Sequence, residues 1–174
     1  TADGLEGVGF SYSKRAGGPA QFAHAKQVAD NLIGEDPSDI GKLFVKLEWA
    51  GASVGRSGVA IQALAAIDVA LWDLKGKVLG LPIHALLGGL TRQHVECYST
   101  GFPAPGTLED KARACMQAGF RAFRTSALDG GKDRPMDARE SVQKTLEHCR
   151  EIRRGVGPDG DWAIDFHTRY DYPQ

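Results

Sequence analysis

From residue 94 onward the chain alternates between short β-type runs and longer helical stretches, in the order strand, helix, strand, helix, strand. Residues 95–99 are the first run and 107–118 the first helix, ended by Gly119. Residues 120–126 follow as the second strand. Residues 137–155 form a helix with Val142, Leu146, Cys149 and Ile152 on one face, and 162–167 are the third strand. Strands separated by helices of this length make βαβ units, and such units build a parallel sheet. Three strands with both faces to cover do not complete a fold of that kind. The expectation is therefore a fragment of a longer protein, and the absence of an initiator Met before Thr1 agrees with it.

The first half has a different texture. Residues 4–12 are glycine-rich and strand-like, and residues 20–33 carry an imperfect helical stripe at Phe22, Val28, Ala29, Leu32 and Ile33. Asp36 and Pro37 suit the start of a further helix, because Asp caps free N–H groups and Pro is tolerated in a first turn. Residues 57–78 are a long, strongly apolar helix, expected to bury Ala63, Ile67, Ala70, Leu71 and Leu74. Gly80-Leu81-Pro82 stops it.

Bulk properties narrow the function. Among 174 residues, 42% apolar and 25% charged is the balance of a globular protein. A net charge of -1 argues against nucleic acid or an anionic membrane as partner. No apolar run approaches the ~20 residues that span a bilayer, and the polar N-terminus is unlike a secretory signal. Cys97, Cys115 and Cys149 are odd in number and form no CxxC pair. Cys115 and Cys149 fall on helical apolar stripes, where cysteine acts as a small hydrophobe, so a reducing cytoplasm is the expected location and a redox or zinc role is not.

Chemistry concentrates in Asp161-Trp162-Ala163-Ile164-Asp165-Phe166-His167. Trp162, Ile164 and Phe166 alternate with Ala163, Asp165 and His167, so a strand here sets a bulky apolar face against one bearing a carboxylate and an imidazole. In a barrel of parallel strands, catalytic groups sit at the C-terminal strand ends. A carboxylate there holds a hard divalent cation, and an imidazole beside it moves a proton near neutral pH. The alternative is structural: Asp165 caps a turn and His167 is an ordinary strand-end histidine.

Two stretches together resemble the mandelate racemase group of the enolase superfamily. One is Gly55-Arg56-Ser57-Gly58 with Ala65-Ala66-Ile67-Asp68-Val69-Ala70-Leu71-Trp72-Asp73-Leu74-Lys75-Gly76-Lys77, then Gly80-Leu81-Pro82 and Leu86-Leu87-Gly88-Gly89. The other is Asp165-Phe166-His167. Segments 11–19, 34–37 and 49–56 are similar to dehydratases of talarate and galactarate, whereas the Asp165 strand end is similar to dehydratases of galactonate and related acid sugars. The resemblance implies an α/β chain: an α+β capping domain over residues 1–88, then the first three β/α units of a (β/α)7β TIM-like barrel over 89–174.

It further implies an enzyme that dehydrates an acid sugar, an aldonate or aldarate, to a 2-keto-3-deoxy acid with Mg2+ as cofactor. Proton abstraction α to the carboxylate, through a metal-stabilised enediolate, and loss of the β-hydroxyl would be the steps. Asp165 would be a metal ligand and His167 the proton-transfer catalyst, as acid or as base according to substrate stereochemistry. The remaining metal carboxylates and a His-Asp pair are implied on later strands, so the fragment alone is expected to be inactive. Partners would be the small-molecule acid sugar and further copies of the chain in a homo-oligomer, with neither nucleic acid nor membrane.

Relatives often end the second strand in Lys-x-Lys, whose second lysine is a base; here Arg124-Thr125-Ser126 stands instead, which disfavours racemisation. Arg124 either binds a substrate carboxylate bidentately or pairs with a carboxylate of the barrel rim. Lys14 and Arg15 either meet the distal end of the substrate or are solvated loop charges. Arg56 either supports a loop or caps the next helix. Asp68 and Asp73 are expected in helix-to-barrel packing, and His24, His84, His94 and His148 on the surface or in packing. Competing functions are a racemase or cycloisomerase of the same group, and a catalytically inactive homologue with a binding role.

Overall fold

The computed structural model describes residues 1–13, 16–127, 135–167 and 170, which fall into two compact units, Thr1–Gln93 and His94–Gln174.

The first unit opens with an extended segment and four helices: α1 (Gly18–Ala29), α2 (Ile40–Ala50), α3 (Gly58–Leu79) and the short α4 (Ile83–Leu86). α3 is apolar along most of its length, and Gly80 ends it in the left-handed region at φ 63°. α1 and α2 pack on it through Val28, Leu47 and Leu64, and through Ile40, Leu43 and Leu71. Of the five residues expected to be buried on α3, Ala63, Leu71 and Leu74 are fully so, while Ile67 and Ala70 are half-buried.

The structure departs from three local expectations. α1 starts at Gly18, with Pro19 in its first turn, and ends at Ala29; a 3-10 turn, Asp30–Leu32, replaces its last residues. α2 starts at Ile40, not after Asp36, because the Asp36 carboxylate accepts the Ser38 N–H at 2.8 Å and makes a turn instead. Residues 5–13 are extended, yet they belong to no strand ladder among the described residues. Glycine lets this segment lie directly on α3: a Cβ at Gly9 would stand 1.9 Å from the Ala66 carbonyl oxygen. The Val8 N–H donates to the Asp73 carboxylate at 2.7 Å, and Lys77 pairs with the same group. Asp73 thus joins the N-terminal segment to α3 within this unit. His24 is buried beside Gly51, a packing position.

The second unit is a parallel three-stranded sheet, β1 (Ser99–Thr100), β2 (Ala122–Ser126) and β3 (Asp161–Asp165), in that order. Its connections are α5 (Leu108–Gln117) and α6 (Ala138–Val156). α5 begins with a reciprocal cap: Thr107 Oγ1 accepts the Asp110 N–H at 3.2 Å, and Asp110 Oδ2 accepts the Thr107 N–H at 3.0 Å. Ala112, Cys115, Phe123, Ile152 and Val156 form the core. Gly155 permits the close approach of α6 to α5, since a Cβ there would lie 2.3 Å from the Glu109 carbonyl oxygen. Burial raises the thiol pKa of both Cys115 and Cys149.

β1 is shorter than the expected 95–99 run. Ser99 stands opposite Phe123, so the same register would set Val95 opposite Gly119, where the chain is still leaving α5. β3 ends at Asp165 rather than His167, because His167 adopts a left-handed φ of 49°. On α6, Ile152 is buried and Cys149 half-buried, but Val142 and Leu146 are exposed; Ser141, Thr145, Gly155 and Val156 complete the buried face. The apolar stripe drawn on the sequence is therefore rotated by about one residue from the face that packs.

Candidate active site at the strand ends

Register decides which side chains meet. Thr100 pairs with Arg124, Arg124 with Ala163, and Ser126 with Asp165. In a parallel sheet these partners share a face, and the alternate residues Phe123, Trp162 and Ile164 face the other way, into the core under α5 and α6. The face away from the helices thus carries Thr100, Arg124 and Asp165.

Arg124 reaches along its strand and forms an ion pair with the Asp165 carboxylate, while its other guanidinium nitrogen donates to Thr100 Oγ1 at 3.2 Å. The paired side chains are 20% and 31% exposed, so water screens them less than it screens a surface pair. Thr100 was not anticipated from the sequence; a threonine one residue past an expected strand was the only signal.

Asp165 also organises the chain that follows it. Its Oδ1 accepts the His167 N–H at 2.8 Å, an Asx turn, and its Oδ2 lies 3.3 Å from His167 Nε2. The turn-capping arrangement of Asp165 is therefore present, together with close approach of the imidazole. The two groups meet through this turn and not, as expected, by sharing a strand face. His167 is the one non-glycine residue at positive φ among those described. Such a conformation costs roughly 1–3 kcal/mol and persists where surrounding contacts impose it.

As a metal site the cluster is partial. Asp165 offers a hard oxygen donor of the kind Mg2+ takes, and a carboxylate with about four acceptor positions retains capacity after these contacts. Among the described residues no group of three or more His, Cys, Asp or Glu stands close enough to share an ion. The residues fit one ligand of a magnesium set. Lys14 and Arg15, expected at the substrate, lie outside the described residues. Arg56 stacks on the Trp49 ring at 5.4 Å and lies 3.7 Å from Glu48, both at the end of α2. Asp68 has its pKa raised by desolvation on α3.

Comparison with known proteins places these features. Residues 1–88 match the family described as Mandelate racemase / muconate lactonizing enzyme, N-terminal domain. L-talarate/galactarate dehydratase of Salmonella typhimurium (strain LT2) is 65% identical over 98 residues, covering 56% of this chain and 24% of that protein. D-galactonate dehydratase of Ralstonia pickettii is 36% identical over 153 residues, covering 87% of this chain and 39% of that protein. Among solved structures, L-talarate dehydratase from Polaromonas sp. JS666, complexed with Mg and L-glucarate, aligns with TM-score 0.76 at 41% identity. That alignment covers 98% of this chain and 44% of the other. The chain spans less than half the length of each of these relatives.

Proposed function

Because the chain belongs to the mandelate racemase / muconate lactonizing enzyme family, we propose that it is the N-terminal part of a magnesium-dependent acid-sugar dehydratase. Residues 1–88 serve as the capping domain and 89–174 as the start of the barrel. The observation that carries this reading is the Arg124–Asp165–His167 cluster at the C-terminal ends of parallel strands, where a barrel's catalytic groups sit. The dehydratase names of the relatives and the magnesium and L-glucarate in a structural neighbour support the substrate class.

Asp165 contributes one oxygen ligand. Bound Mg2+ would supply the positive charge that makes a proton next to a carboxylate removable. Arg124 holds an anionic oxygen of the substrate with its planar fork of donors. A base on the later strands, the His-Asp pair that the resemblance implies, would take the α-proton. His167, oriented by Asp165, gives a proton to the β-hydroxyl, whose bond to carbon breaks as the electrons of the α C–H bond form the carbon–carbon double bond of the enol. Water leaves, and the enol relaxes to the 2-keto-3-deoxy acid. With Arg124-Thr125-Ser126 on β2, no lysine stands there to support racemisation. Lys14 and Arg15 would meet the distal end of the substrate. No described helix is long and apolar enough to cross a membrane, and a cytoplasmic homo-oligomer is the assembly proposed.

The test is a screen of the intact enzyme with Mg2+ against aldonates and aldarates, reading 2-keto-3-deoxy products. Turnover of at least one acid, abolished by chelation, is expected. Epimerised acid without loss of water would instead identify a racemase, and inertness toward every acid would favour a binding role.

A further inference from the structure

A half-buried carboxylate without a positive partner is costly, since its charge loses hydration and gains nothing in return. In this chain the Arg124 guanidinium fills that need at Asp165, and Thr100 braces it from the neighbouring strand. Mg2+ binds carboxylate oxygen at ~2.0–2.1 Å and carries two charges. A guanidinium in contact with the same carboxylate repels the arriving cation and covers one of the oxygens. The two cations therefore compete for Asp165.

We propose that Arg124 is an exchangeable counter-ion: it neutralises Asp165 while the metal is absent, and metal loading releases its guanidinium, still tethered to Thr100, to receive the carboxylate of the acid substrate. The inference rests on the dehydratase reading above and adds an order to it. The cation binds first and the acid second, because the arginine that captures the acid is occupied until the metal displaces it. The pairing also keeps Asp165 neutralised on a site that would otherwise present an unmatched charge. Arg124 is by this account a positioning residue for the metal ligand as well as a contact of the substrate.

The decisive measurement is calorimetric titration of the intact enzyme with Mg2+ alone, in the wild type and in Arg124→Gln. Removal of the competitor should tighten Mg2+ binding about tenfold, the scale of an ordinary coupling between two ligands. A structural defect at this position would weaken binding, so the gain is diagnostic. In the unmutated enzyme, Mg2+ should also accelerate modification of Arg124 by phenylglyoxal several-fold, read by peptide mass, which needs no variant to fold. Unchanged or weaker Mg2+ affinity in Arg124→Gln, or unchanged phenylglyoxal reactivity, overturns the exchange while leaving the dehydratase reading intact. Failure of the wild type to bind Mg2+ overturns both.

Discussion

Arg121 immediately precedes β2 and Arg124 lies within it, and each meets a carboxylate on a neighbouring segment, yet the two pairs do different things. Arg121 meets Glu96 at 3.1 Å with side chains 80% and 59% exposed, beside an open depression that also includes Cys97 and Gly119. A pair so exposed contributes roughly 0–1 kcal/mol and is weakened further by salt. Arg124 is tied to Asp165 and Thr100 on the partly buried face of the sheet. Parallel strands give a sheet two chemically distinct ends, and among the described residues the C-terminal end sets a guanidinium and an imidazole against one carboxylate, Asp165. Burial and topology, rather than the identity of the paired residues, separate a solvated bridge from a site.

The largest effect should come from His167→Asn in the intact enzyme. Asn tolerates the left-handed conformation that His167 holds at φ 49°, so the turn survives and only the proton-transfer group is lost. Turnover should fall by about 10²–10⁴-fold with Mg2+ binding retained. Glu96→Gln at the other end should leave turnover unchanged; equal losses in both variants would erase the distinction between the two ends.

Phe123 sharpens the contrast between the two faces. It precedes Arg124 and is fully buried in the core, so Phe123→Ala should destabilise the protein by about 3–5 kcal/mol in denaturant unfolding. Arg124→Gln, which unpairs a partly exposed carboxylate, should cost less stability than Phe123→Ala. A smaller cost at Phe123 than at Arg124 would mean the faces are assigned the wrong way round.

A smaller effect is expected at the start of α5, where Thr107→Ala removes the cap and should cost roughly 0.5–2 kcal/mol. The Thr107 N–H, together with its hydroxyl and Arg113, holds the Asp110 carboxyl below the usual carboxylate range. A carboxyl depressed on folding adds stability that is fully present above its unfolded pKa and is lost as pH falls through the folded one. Acidification from neutral pH should therefore destabilise the wild type more than Thr107→Ala, a difference that unfolding curves across acid pH would read. The smallest effect belongs to Arg121→Ala, with a stability change under ~1 kcal/mol and no change in turnover.

Much of this arrangement was legible before any coordinates. The βαβ pattern and the long apolar helix follow from local periodicity and turn chemistry, and the Asp165–His167 segment announced itself by residue type. What escaped was set by register and by neighbours. β1 shrinks to two residues because β2 has nothing opposite Val95. The packed side of α6 uses Ser141 and Thr145 rather than Val142 and Leu146. Thr100 acquires its role only when the sheet aligns it with Arg124. His167 looked like a strand residue, yet the Asp165 carboxylate competes for its backbone N–H and ends the strand.

In the proposed function Asp165 is a metal ligand and not merely the cap of a turn. Titration of the intact enzyme with Mg2+ in the wild type and in Asp165→Asn separates the two, because Asn still accepts the His167 N–H but lacks the charge a magnesium ligand needs. The variant should bind Mg2+ at least ~10-fold more weakly, since even outer partners of a metal site are worth that much. Equal Mg2+ affinity in the two proteins would contradict it and leave Asp165 as a structural residue.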